Sequence, residues 1–179
     1  MLSGFYGAFS PACFALLGLW LVAVQIRMRE WQGSPPQQRR SYAIALHFAL
    51  PGMMSLLALV DLADPVYWRV SFAVIALGGA AVVAMVGRSP ARPQPTPGEP
   101  APGEPGHAPV ADQLGVAAYL AAIALYLLIG ALAVVGGLAV LRAEAVLLTL
   151  LVFLGFNVAW LLLFDTRHAA PPHPRAAAH

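Results

Sequence analysis

Residues 5–26, FYGAFSPACFALLGLWLVAVQI, contain no charged side chain. A helix of that length crosses a bilayer, whose hydrocarbon core takes roughly 20 residues. Further apolar runs follow at about 42–60, 66–87, 114–136 and 145–164. A chain of 179 residues has too little interior to hide five such runs from water. Its composition agrees, at 60% hydrophobic and 10% charged, where soluble domains run near half apolar and about a quarter charged. The expected fold is therefore all-α, a polytopic membrane bundle of five transmembrane helices.

The segments between the runs divide the chain. No basic residue precedes the first run, which does not read as a cleaved signal peptide, and Pro11 falls in its first turns. A polar basic loop is expected over 27–40, RMREWQGSPPQQRR, with a break at Pro35-Pro36. The second and third spans meet at DLADP, where Asp64 suits a helix cap and Pro65 a first turn. Residues 88–112 hold eight of the sixteen prolines and a tandem PGEP, the composition of an extended linker that cannot bury enough apolar surface to order itself. It separates a three-helix part, 1–87, from a two-helix part, 113–164. In the second part Gly136-Gly137 is read as the exit of the fourth span and LAVLRAEA as a short turn at the interface. The tail, 165–179, is polar and broken by proline, as a disordered cytoplasmic end would be.

Five spans place the termini on opposite sides. With the N-terminus outside, Arg27, Arg29, Arg39, Arg40, Arg88, Arg92, Arg167 and Arg175 fall inside, and only Arg69 and Arg142 fall outside. That is the positive-inside distribution, so the linker and C-terminus are expected in the cytoplasm. All ten basic residues are arginine. Together with abundant Ala, Gly and Pro, that suggests the coding bias of a GC-rich bacterium and hence a plasma (inner) membrane. A net charge of +2 with no basic stripe gives no footprint for nucleic acid. The expected partners are the lipid bilayer and either further copies of the chain or another membrane protein.

Polar side chains inside the spans are the candidates for function. Counting about 1.5 Å per residue from the inner boundary puts His47 roughly 8 Å deep and Asn157 roughly 10 Å deep. Tyr119, Trp20 and Trp160 fall at a similar height. Unpaired polar groups in lipid are costly, so this layer is expected to face the bundle interior. It reads either as interhelical hydrogen bonding that locks the packing, or as a site where His47 titrates for an ion, proton or solute. At the outer face Asp61, Asp64, Arg69, Arg142 and Glu144 are expected to form a charged rim, paired among themselves or drawing a cation to a vestibule. Pro51-Gly52 lies between the two levels. Gly78-Gly79, Gly130 and Gly136-Gly137 permit close helix contact.

Little in the chain points to catalysis or a cofactor. Cys13 is the single cysteine, which excludes an internal disulfide and a paired-thiol redox centre. There is one histidine within the spans, too few for a haem held by two. No Gly-rich phosphate loop, HExxH or GxSxG occurs. Asp61 and Asp165 sit at opposite faces, and His168, His173 and His179 match no closed metal site. The expectation is a protein without catalysis or cofactor. Its leading reading is a small channel or transporter for an ion or small solute, oligomeric. The alternative is an accessory or scaffold subunit that binds a partner through the linker or a lateral helix face.

Overall fold

The computed structural model describes residues 2–31, 35–60, 64–87 and 110–164. They form five helices, α1 Leu2–Trp31, α2 Pro35–Val60, α3 Pro65–Gly87, α4 Val110–Val135 and α5 Leu138–Phe164, with no strand among the described residues. The all-α bundle is as expected. Each helix contains an apolar stretch long enough to cross a membrane, from 21 to 27 residues. Most of the expected linker, 88–109, lies outside the described residues, as do the tail 165–179 and Asp61.

Several bounds differ from the sequence expectation. The basic segment 27–40 is largely helical, because α1 runs on to Trp31 and α2 already starts at Pro35. Pro35-Pro36 opens a helix where a break was expected. Proline's fixed φ suits a first turn, and Gln37, Gln38, Arg39 and Arg40 are good helix formers. Likewise LAVLRAEA is part of α5 and no interfacial turn. The reversal is confined to Gly136 and Gly137, with φ of 74° and 109°, a left-handed conformation open to glycine and strained for other residues. The Gly136 N–H bonds the Leu132 carbonyl at 3.0 Å and closes α4. Asp64 caps α3 as expected, its Oδ1 accepting from the N–H groups of Val66 at 2.8 Å and Tyr67 at 3.3 Å.

Helix α2 packs on α1, α3 and α5, while α4 joins α3 to α5, and α1 also touches α5. The pairs α1–α2 and α3–α4 share the longest contacts. One core of buried residues runs from Tyr6, Met54 and Phe72 through Tyr126 and Ile129 to Leu148 and Leu151. A smaller one, at the end where α1 leaves the bundle, joins Trp20, Ile44, Phe48, Ala159 and Leu162. Glycine sets three of the crossings. A Cβ at Gly52 would stand 3.1 Å from Cys13 Cβ, one at Gly79 2.7 Å from the Tyr126 ring, and one at Gly155 2.5 Å from His47 Cβ.

Outside, the bundle is covered by large apolar side chains, among them Leu19, Ile26, Met85, Leu120, Val134 and Phe153. A continuous apolar surface of this extent is a liability in water and ordinary in lipid. The fold is compatible with an integral, multi-pass membrane protein.

The tight α2–α5 crossing makes a prediction. Gly155→Ala forces a Cβ into the His47 Cβ and should destabilise the bundle by about 1–3 kcal/mol. Gly18→Ala adds a Cβ that meets nothing within 4 Å and should leave the unfolding midpoint unchanged or raised. Thermal unfolding in detergent, followed by tryptophan fluorescence, compares the two. Equal midpoints would show that α2 and α5 do not cross at Gly155.

Candidate functional site

The expected inner layer does not converge. His47 is buried, and its Nδ1 lies 2.6 Å from the Ala43 carbonyl of the preceding turn. Its ring tilts against Tyr126 with centroids 6.1 Å apart, and its Cβ rests on Gly155. Trp20 is also buried, with Nε1 donating to the Ser41 carbonyl at 3.0 Å. Asn157, however, is exposed on the opposite side of α5, and Trp160 is 55% exposed, packed between Phe156 and Phe164. Tyr119 is half-buried near Gly87. The expectation that all five face the interior and one another is thus corrected.

The reason is angular. Depth follows from counting residues, but facing depends on about 100° of rotation at each one. The buried stripe of α5 runs through Leu148, Leu151, Gly155, Ala159 and Leu162, and Asn157 stands across the helix from it. Asn157 needs no interhelical partner because its Nδ2 donates to the Phe153 carbonyl at 2.7 Å. It borders an open groove of about 580 Å³ between α4 and α5, walled by apolar side chains including Leu125, Leu128, Leu150 and Leu154.

The expected charged rim is rearranged too. Arg69 of α3 reaches the C-terminus of α4, where Nε donates to the Ala133 carbonyl at 2.9 Å and Nη2 to the Val134 carbonyl. It satisfies carbonyls that a helix end leaves without partners and places its charge at the negative pole of the helix dipole. Asp64 serves as the α3 cap, and Arg142 is exposed.

Glu144 is not on the rim. It is 0% exposed, and neither carboxylate oxygen has a hydrogen-bond partner among the described residues. It shares the inward stripe of α5 with Leu141, Ala145, Leu148 and Leu151. The Tyr6 hydroxyl of α1 lies within its electrostatic reach and donates to the Leu141 carbonyl, one turn nearer the start of α5, at 3.1 Å. Tyr6 in turn meets Phe5 at 5.3 Å and Phe72 at 6.4 Å between ring centroids, both edge-on. Holding an isolated ionised carboxylate in such surroundings costs several kcal/mol even after relaxation.

Sequence reasoning assigned Glu144 to the rim because the fifth span was started at residue 145. A helix beginning at Leu138 carries Glu144 into the span, and its rotation sets it on the same face as Leu141, Ala145, Leu148 and Leu151, which are buried. Tyr126 and Gly155 carry no mark in the sequence, and Tyr6 reads there only as one of the aromatics at the outer boundary, with Phe5, Tyr67 and Trp68. Tyr6 and Tyr126 stand on apolar helical stripes that accommodate any large side chain, and nothing in their spacing marks them. Among the described residues no three His, Cys, Asp or Glu side chains group as metal ligands would. Compared with protein-family models, curated proteins and solved structures, the chain matches none.

Proposed function

We propose that this protein moves an ion or small solute across a bacterial plasma membrane, and that Glu144 is the group the moving species meets. The observation that supports this most is the carboxylate buried without a partner inside a membrane bundle. Ionisable groups at such positions are expensive and serve ion, proton or substrate pathways more than packing. The candidate therefore shifts from the expected His47–Asn157 layer to the opposite end of the bundle. Between the two levels Ile129, Leu148 and Leu151 are fully buried. Passage through one closed chain thus requires rearrangement or a second copy, in keeping with an oligomer.

In the proposed orientation Glu144 lies toward the outer face. Arg27, Arg39 and Arg40 stand at one end of the bundle, and Arg69 and Arg142 at the other. The sequence adds Arg29, Arg88, Arg92, Arg167 and Arg175 to the first group, and arginine-rich ends stay in the cytoplasm.

A second reading, an accessory subunit, is favoured by the α4–α5 groove. Asn157 is a polar side chain on an otherwise apolar outer face, where a neighbouring helix could bond it.

Three measurements test these readings. Reconstituted alone, the protein should pass protons or a common monovalent ion between pH 5 and 8, and isosteric Glu144→Gln should lower the flux at least tenfold with unchanged thermal stability. No flux, or full flux in the variant, ends the transport reading. In a Cys13→Ser background, Ser3→Cys should react with an impermeant maleimide in intact cells, and Thr96→Cys only after permeabilisation; the opposite pattern inverts the topology. For the accessory reading, native mass spectrometry of the protein from gentle lipid extraction should show a bound partner that Asn157→Leu releases. A bare single chain or self-oligomer in the wild type removes that reading.

A further inference from the structure

We propose that Glu144 is a proton-binding site, loaded from the end of the bundle nearest the α4–α5 turn, with the Tyr6 hydroxyl on the route. This rests on the transport reading above and names the species that the site takes. Among the described residues, the elements around Glu144 offer it no counter-charge. Helix α5 packs on α1, α2 and α4. From α1 the facing ionisable group is Tyr6. From α2 it is His47, which sits at the level of Gly155, about 16 Å further along α5 at 1.5 Å per residue. From α4 it is Tyr126, whose ring packs beside His47. Arg69, on α3, directs its guanidinium to the Ala133 and Val134 carbonyls. Arg142 and Asp64 are exposed.

A metal ion fits this setting poorly. Hard cations take about six or more oxygen ligands, whereas the Tyr6 hydroxyl and the Leu141 carbonyl beside Glu144 are already bonded to each other. Among the described residues no further acid, histidine or cysteine joins Glu144 in a ligand group, and protonation needs no such shell. One carboxylate oxygen takes a proton from hydronium and leaves water, and the neutral acid suits the apolar surroundings.

The route is short. Glu144 lies about 9 Å along α5 from Leu138, and the Tyr6 hydroxyl, held by the Leu141 carbonyl, lies beside that turn of the helix. Rotation of the hydroxyl away from Leu141 would hand a proton between the end and the carboxyl without unfolding a helix.

Infrared spectroscopy of the full-length protein in lipid tests this independently of flux. At pH 7 the wild type should show the carbonyl stretch of a protonated carboxyl, absent from Glu144→Gln, and transfer to D2O should shift that band. Tyr6→Phe keeps the ring and should slow the shift at least fivefold. If the difference between wild type and Glu144→Gln is instead a carboxylate stretch, the proton is not bound there. A band that never shifts in D2O overturns loading, and an unchanged rate in Tyr6→Phe overturns the route. A shifting protonated band without flux upholds the site and removes the transport reading; flux with an ionised Glu144 does the reverse.

Discussion

Backbone carbonyls provide the hydrogen-bond acceptors on which this bundle depends. Lipid supplies no water, so a polar side chain within a span must find its partner in the protein. Here the side chains turn to the main chain. Thr149 and Asn157 donate to carbonyls one turn back, at 2.9 and 2.7 Å, and Ser55 donates to Pro51 at 2.8 Å. Others reach across helices, Ser10 to Gly52, Tyr6 to Leu141 and Tyr126 to Leu46. These donors stitch the bundle together through main-chain acceptors.

The same arrangement isolates Glu144. A carbonyl accepts and cannot donate, and an ionised carboxylate only accepts. A core that satisfies its polar groups with carbonyls thus suits hydroxyls, indoles and amides and offers an ionised acid no partner. Arg69, which could have answered it, is engaged at the end of α4. The isolation of Glu144 follows from how the rest of the bundle is bonded.

The number of helices and their apolar character could be read from residue types alone, because lipid demands long uncharged runs. The cap at Asp64 and the reversal at Gly136-Gly137 were legible for a similar reason, since each is a local conformation with a local chemical signature. Facing was not legible. Hydrophobic periodicity marks the inward side of a helix when the outward side is polar, but in lipid both sides are apolar. The inner layer could therefore be placed in depth and misplaced in angle, as Asn157 and Trp160 show. Gly155 was invisible for the opposite reason: its role lies wholly in what His47 needs from it across the interface.

Boundary and burial are coupled at the start of α5. Moving that start from residue 145 to Leu138 turns Glu144 from a solvated rim charge into an intramembrane acid. The glycine pair makes the shift possible, because a reversal compressed into Gly136 and Gly137 leaves LAVLRAEA free to continue as helix. Arg142 and Glu144 are then separated by about 200° of rotation, which sends one outward and the other into the core. An Arg–x–Glu pair that could neutralise itself in a turn is thereby divided by helical geometry. The positive charge remains at the surface, and the acid is left among apolar side chains with the aromatic hydroxyl of Tyr6 within electrostatic reach.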